Sequence, residues 1–323
     1  ESRIKAITLI PGATEHGYST VRVTEKTGDA SARILNRNQL YRPTDWEASI
    51  DELQAVCPNL ERVALVVSWF GTDLRAGHCR ILPGVETDHR DDESTPWRVA
   101  GVTRDGAHLI SHAGGGPAYG GTPNDASVVA AIRDLKARGL KVYLYPFIMM
   151  DIPAGNSLPD PYGDDAQASY PWRGRITCHP AIGRPGTPDR TADAQAQVNA
   201  FFGHATAGDF DVDGTTVAYS GSYEGYRRLL LHYALLAVAA GGVDGLIIES
   251  ELRGLTQLRN GAGDFPAVNK LVALAADIRA IVGAGTKLTY GADWSEYFGY
   301  HPDDGSGDVF FHLDPLWASD AID

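Results

Sequence analysis

Residues Thr122–Met150, TPNDASVVAAIRDLKARGLKVYLYPFIMM, decide the fold. Thr122 offers an N-cap, Pro123 the first helical position and Asp125 an acid at N3, the order in which helices commonly begin. Val128, Ile132 and Leu135 then share one helical face until Gly139 stops it. Lys141–Met150 follows at once as an apolar run suited to a buried strand. A helix ending at Gly with a strand one or two residues later is an αβ unit, and the pattern recurs. From Ser222, the residues Tyr226, Leu229, Leu230, Tyr233, Leu236 and Ala237 form a second apolar helix face, Gly241-Gly242 end it, and Val243–Ile248 reads as strand. Pro266 starts a third helix carrying Leu271, Ala275, Ile278 and Val282; Gly283 and Gly285 break it before the strand Lys287–Ala292. Upstream, Thr44 with Glu47 three residues on caps a helix using Trp46, Ile50 and Leu53, which leads into Arg62–Phe70. Ile4–Ile10 reads as the first strand. Strands alternating with helices imply parallel pairing through right-handed crossovers, hence a barrel or a doubly wound sheet, and periodicity does not separate the two.

Two long non-periodic segments, 71–121 and 151–190, each follow the C-terminal end of an expected strand, the rim where both architectures hold ligands. The rest of the composition narrows the ligand. In 323 residues, 28 Lys and Arg face 41 Asp and Glu for a net charge of −13, which argues against nucleic acid. Hydrophobic content of 43% with 21% charged residues is that of a folded globular chain. No uncharged apolar run approaches the roughly 18 residues of a membrane span. Cys57, Cys79 and Cys178 form no CxxC unit and no disulfide-rich scaffold. Glu1 opens the chain without a start Met or leader pattern and Ala321-Ile322-Asp323 closes it where an apolar stretch begins, so a piece of a longer or processed protein is expected.

The most informative strand end is Ile247-Ile-Glu-Ser-Glu-Leu-Arg253. Alternation along a strand would project Glu249 and Glu251 to one side, and acids at the end of an apolar strand are expensive unless solvated or functional. A carboxyl beside apolar walls and another carboxylate can have its pKa raised, as a proton donor to a leaving oxygen requires. The plainer alternative is that the pair bonds Arg253 or loop amides. The next strand ends Tyr290-Gly-Ala-Asp-Trp-Ser-Glu-Tyr297, adding Asp293 and Glu296 beside Tyr290 and Trp294. Sugars present apolar C–H faces with a hydroxyl periphery, so a cleft for them combines aromatic platforms with carboxylates. Trp69 and Asp73 after the second strand, Asp151 after the third, and Trp172 and Trp317 in loops are candidates to complete such a cleft. Each aromatic, taken singly, reads more often as rim packing than as a ligand platform, and only their convergence counts.

Other motifs weaken on inspection. Asp209-Phe-Asp-Val-Asp-Gly214 opens like an EF-hand loop, but its twelfth position is Ser220 where a bidentate Glu is needed, and a solvated turn fits better. His78-Cys79 and Cys178-His179 lack zinc spacing. His112-Ala-Gly-Gly-Gly116 has the look of an oxyanion-hole loop, yet the chain has no G-x-S-x-G elbow, nor a G-x-G-x-x-G or P-loop phosphate cradle.

Longer strings carry a resemblance that runs nearly end to end: SWFGTDLRAG (Ser68–Gly77), GGTPNDASVVAAI (Gly120–Ile132), YPFIMMDIP (Tyr145–Pro153), LPDPYG (Leu158–Gly163), YPWRGRITC (Tyr170–Cys178), SELRGLT (Ser250–Thr256) and YGADWSEYFGYHP (Tyr290–Pro302). The chain resembles the TIM-barrel-like, glycoside-hydrolase-like domain of the tail-tip (host-specificity) protein of gene transfer agents, phage-derived particles of alphaproteobacteria. The resemblance implies a (β/α)8 barrel, incomplete at the C-terminus of this chain, with long rim loops. It implies an acid/base Glu after the fourth strand and a nucleophile Glu after the seventh. By the likeness of SEL, Glu251 takes the acid/base position; Glu249 stands where related barrels carry Gly, so it either alters the pKa of Glu251 or is itself the acid. Ala321–Asp323 would open strand six, leaving the nucleophile outside this chain, with Asp293 or Glu296 a substitute only if it points into the cleft. The expected partners are a cell-surface polysaccharide or peptidoglycan glycan and other tail-tip or baseplate proteins, and neither metal nor cofactor is called for. A glycosidase, a glycan-binding module and a structural domain of the tail hub all remain open at this point.

Overall fold

The computed structural model describes residues 2–12 and 14–323, apart from the side chains of Glu249 and Ser250. Five strands, β1 (Ala6–Leu9), β2 (Arg62–Gly71), β3 (Lys141–Met150), β4 (Gly245–Ser250) and β5 (Lys287–Gly291), pair side by side and parallel in chain order. A doubly wound sheet must reverse its strand order near the middle. This one does not, and the fold is α/β and TIM-barrel-like. Among the described residues the sheet path is open, with β1 and β5 at its edges.

Register explains which face carries the core. Val63, Leu65, Val67 and Trp69 lie in line with Val142, Leu144 and Ile148, then Leu246 and Ile248, then Leu288, all fully or almost fully buried. Helices α1 (Asp45–Val56), α2 (Asp125–Ala137), α3 (Ala192–Phe202), α4 (Tyr226–Ala239) and α5 (Pro266–Val282) join that cluster. Polar clips fix neighbouring helices: Trp46 Nε1 donates to Asp134 at 2.8 Å between α1 and α2, Arg133 donates to the Ala239 carbonyl at 3.0 Å between α2 and α4, and Arg227 pairs with Asp277 at 2.5 Å between α4 and α5. On the opposite face Tyr143, Tyr145, Phe147, Met149 and Ile247 stay half-buried. Gly245 sits across from Tyr143, where a Cβ would come within 2.2 Å of the ring, so only glycine lets the tyrosine lie across β4.

All five expected strands appear within a few residues of their expected ends, and Thr44 caps α1 by accepting from the Glu47 N–H at 3.2 Å. The cap of α2 is a correction. Asn124, not Thr122, accepts from the Ala126 N–H at 2.8 Å. Thr122 instead donates to the Ser68 carbonyl at 2.8 Å and accepts from the Gly84 N–H at 3.0 Å, tying the first rim segment to β2. α3 lies outside the expected helices; Thr191 caps it, and Ala194, Val198, Phe201 and Phe202 bury its inner face. The EF-hand-like stretch is a hairpin of Phe210–Asp213 and Thr216–Tyr219 with Gly214 turning at φ 58°. The His112–Gly116 stretch is another hairpin, turned at Gly114 and Gly115.

Asp244 leads into β4 by donating its N–H to the Val142 carbonyl at 2.8 Å and accepting the Val142 N–H on its side chain at 2.9 Å. Asp323 makes the same two bonds to Leu288 of β5, at 2.8 and 2.9 Å. No helix among the described residues is long and apolar enough to cross a membrane.

Candidate active site at the rim of the sheet

The parallel sheet delivers Asp73, Asp151, Glu251 and Asp293 to one end, just beyond β2, β3, β4 and β5. Their surroundings differ. Asp73 is buried, and its carboxylate receives Arg75 through Nε at 3.0 Å and a terminal nitrogen at 2.6 Å, the Arg75 N–H at 2.8 Å and Gln167 at 2.7 Å. Burial alone would raise its pKa, but the bonds from Arg75 and Gln167 outweigh it and hold the carboxyl below the usual range. Asp151 is also buried and takes His108 Nε2 at 2.7 Å, the Ser111 N–H at 3.0 Å and the Ser111 hydroxyl at 2.5 Å. Burial is again outweighed by these partners, and its pKa is lowered. Tyr170 meets the Ser111 hydroxyl at 3.1 Å, extending the cluster.

β4 ends differently. Its pairing with β5 shifts register between Ile247 and Ser250, and Glu251 takes φ 61°, a left-handed conformation that non-glycine residues hold only under constraint. The Glu251 N–H donates to the Gly291 carbonyl at 3.0 Å, which ties it to β5. Glu251 Oε2 accepts Trp172 Nε1 at 2.8 Å and an Arg173 guanidinium N–H at 2.7 Å. Oε1 has no hydrogen bond among the described residues, and the side chain is 35% exposed. The guanidinium partner is therefore Arg173, in the second rim segment, rather than Arg253. Gly254 makes this junction possible, since a Cβ there would meet the Ile176 carbonyl at 2.5 Å. Arg173 also lies 3.6 Å over the Phe147 ring. Phe147, with Tyr119, Tyr145 and Met149, lines a largely apolar cavity of 360 Å³ on the inner sheet face, so Arg173 joins the Glu251 carboxylate to that cavity.

At the end of β5, Asp293 caps the short helix Trp294–Tyr297 by accepting from the Ser295 N–H at 3.0 Å and from its hydroxyl. Glu296 closes the capping box: it is buried and accepts the Asp293 N–H at 2.8 Å and the Thr256 hydroxyl at 2.6 Å, with Tyr290 at 3.4 Å. Burial pushes its pKa up, against the opposing bonds from Thr256 and Asp293. Tyr290 is itself buried, and its hydroxyl accepts the Leu252 N–H at 2.7 Å. Trp69 is 0% exposed and donates to the Tyr233 hydroxyl at 3.1 Å on the helix side of the sheet, so it does not face the rim. Trp172 and Trp294 are exposed, and Tyr297 stacks on Trp317 with centroids 6.3 Å apart. The structure thus gathers Glu251, Trp172, Asp293 and Trp294 around the β4–β5 end, and keeps Glu296 and Tyr290 beneath it. The side chain of Glu249 lies outside the described residues.

Sequence reasoning missed Arg173, whose position beside Trp172 in YPWRGRITC gave no sign of its reach to β4. It also missed a buried ionic network around Glu15, His16 and Glu93, whose ligand atoms all lie within 4.8 Å of one another. Arg104 bonds both carboxylates and Arg90 adds to Glu15, so two guanidinium groups already occupy the charge a cation would supply. Burial lowers the His16 pKa to about 4, leaving it neutral at pH 7. The three cysteines are buried and free, and burial pushes Cys79 up to about 12.

Against known proteins, the family described as "GTA TIM-barrel-like domain" matches residues 224–323, which include α4, β4, α5 and β5. No curated protein matches the chain. Among solved structures, a complex of a GH113 β-1,4-mannanase is 15% identical, with a TM-score of 0.38 over 77% of this chain and 50% of the mannanase chain. The GH113 β-mannanase AaManA from Alicyclobacillus acidocaldarius, in complex with ManMIm, is 14% identical, with a TM-score of 0.34 over 73% and 45%. The chain spans about half the length of these enzymes.

Proposed function

We propose that the chain is a glycoside-hydrolase-like domain of a phage-like, gene transfer agent tail-tip protein, acting on cell-surface or cell-wall glycan at the β4–β5 rim. One observation carries the reading: Glu251 is held in a left-handed backbone conformation with one oxygen fixed by Trp172 and Arg173, the other without a hydrogen bond among the described residues, and the side chain 35% exposed. A carboxyl so placed can deliver a proton to a leaving glycosidic oxygen, and strain at a polar, half-open residue is more often found at sites than in scaffolds. The exposed Trp172 and Trp294 offer apolar faces for sugar rings. Asp293, with one oxygen used as a cap and lying just beyond the adjacent strand β5, is a candidate for the second carboxylate. Retaining chemistry wants the pair about 5–5.5 Å apart and inverting chemistry about 6.5–9.5 Å. The domain works on the tail of a particle, beside other tail-tip or baseplate proteins.

The second reading is a glycan-binding domain without hydrolysis. The sealing of Glu296 by its own cap favours it, since that removes one of the two substitutes for a nucleophile. Reducing-end release from capsule and peptidoglycan preparations, with the parent protein and Glu251→Gln side by side, separates the two. Hydrolysis by the parent alone supports the enzyme. Retained sugar binding without release supports the binder, and neither binding nor release overturns both.

A further inference from the structure

A second pocket of 360 Å³ lies away from Glu251, lined by Arg80, Leu82, Gly106, His108, Glu224 and Arg228 among others. Its charges do not balance. Arg80 is paired with Glu224, and His108 with Asp151. Arg228 is 6% exposed and makes no ion pair among the described residues, and its buried Nε has no hydrogen-bond partner. Aromatic rings give it only partial compensation, with the guanidinium carbon 5.1 Å from the Trp69 ring and 5.0 Å from that of Tyr219. Burial lowers its pKa despite the nearby Glu224, the direction expected of a buried cation short of counter-charge. Its position adds to the imbalance: Arg228 is in the first turn of α4, where the helix presents its positive end, and the Gly225 N-cap supplies no side-chain oxygen. A lone buried guanidinium at a helix N-terminus is a poor scaffold element and a good anion receptor, because a carboxylate or other oxyanion takes two of its N–H groups at once.

We propose that this pocket binds one oxyanion group, a carboxylate or a sulfate or phosphate ester, on Arg228. The site stands apart from the reaction assigned to Glu251 and does not depend on it. Trp69 lies against the same guanidinium, so its emission reports occupancy. The test titrates the intact chain with sodium glucuronate, sodium sulfate and sodium phosphate, against sodium chloride at equal ionic strength, and follows tryptophan fluorescence with calorimetry alongside. A saturable response beyond chloride is expected, weakened at least tenfold in Arg228→Met. Saturation by glucuronate alone assigns a carboxylate, and saturation by sulfate or phosphate alone assigns an ester; both support the site. Gly106→Phe adds a bulky ring at a glycine that lines the pocket and leaves Arg228 in the sequence; a Cβ at Gly106 meets only Val102 at 3.8 Å, and the variant serves if Arg228→Met does not fold. No saturable response in the parent, or an undiminished one in the folded variant, overturns the proposal.

Discussion

The two sides of the rim use the same residue types for different ends. Beyond β2 and β3, Asp73 and Asp151 are buried and both oxygens of each are taken by arginine, glutamine, histidine, serine and backbone donors. Beyond β4, Glu251 is a third exposed, strained in its backbone, and has an oxygen without a hydrogen bond among the described residues. A carboxylate with every acceptor satisfied is a pin, because removing it strands buried donors. One with an acceptor left over at a solvent boundary has room for a visitor. Position at a strand end does not distinguish them, whereas the count of satisfied oxygens does.

The largest effect should be on stability at Asp73. Asp73→Ala leaves Arg75 and Gln167 without their acceptor and should destabilise by about 3–5 kcal/mol in urea unfolding, whereas Glu251→Gln should stay within about 1 kcal/mol. Equal losses at the two sites would erase the distinction between pin and open acid.

The pH dependence sharpens the comparison. Asp73 and Asp151 titrate below their ordinary value of 3.8. Their stabilisation is therefore complete above that value and is lost as pH falls through the lower folded values. Glu296 has the opposite sign. Its pKa is raised above 4.5, so the folded chain binds that proton more tightly, and stability declines as pH rises from 4.5 through the folded value. In urea midpoints measured from pH 2.5 to 7, Asp73→Asn should flatten the acid limb and Glu296→Gln the decline above pH 4.5. Profiles parallel to that of the parent would contradict both assignments.

Backbone strain at Glu251 gives a smaller effect. Glu251→Gly and Glu251→Ala lose the same carboxylate, but glycine accepts φ 61° freely, so the glycine variant should be the more stable by about 1 kcal/mol. Equal stabilities would mean the conformation is unstrained. The smallest effect is at Trp294, 72% exposed: Trp294→Ala should leave the melting temperature nearly unchanged while weakening retention on immobilised glycan. Unaltered retention would remove Trp294 from the site.

Much of the fold was legible because β3, β4 and β5 each follow a glycine-terminated helix, and the apolar spacing of α2, α4 and α5 matches what they bury. Parallel strand direction followed from the alternation of elements, while the choice of a barrel-like order over a doubly wound one required the pairing itself. Helix α3 carried a readable signal, Ala194, Val198, Phe201 and Phe202 at helical spacing, hidden by polar residues between them. Trp69 and Tyr290 show what period-two reading can do: each has the parity of buried neighbours, Val67 and Leu288, and so faces the helices. In Arg62–Phe70 the near-continuous apolar run concealed that parity. At β4 the register shift defeats alternation, so the orientation of Glu251 could not be read from Glu249. Its bonds to Trp172 and Arg173 join residues 78 and 79 positions apart in the chain, and no local pattern encodes them.

Carbodiimide coupling of glycine ethyl ester to native protein, followed by peptide mass spectrometry, tests most directly whether Glu251 is the open acid of this rim. The account expects rapid modification of Glu251, slowed by added capsule or cell-wall oligosaccharide, with Asp73, Asp151 and Glu296 modified only after unfolding. Glu251 as resistant as Asp73, or modified at the same rate with and without oligosaccharide, would contradict it.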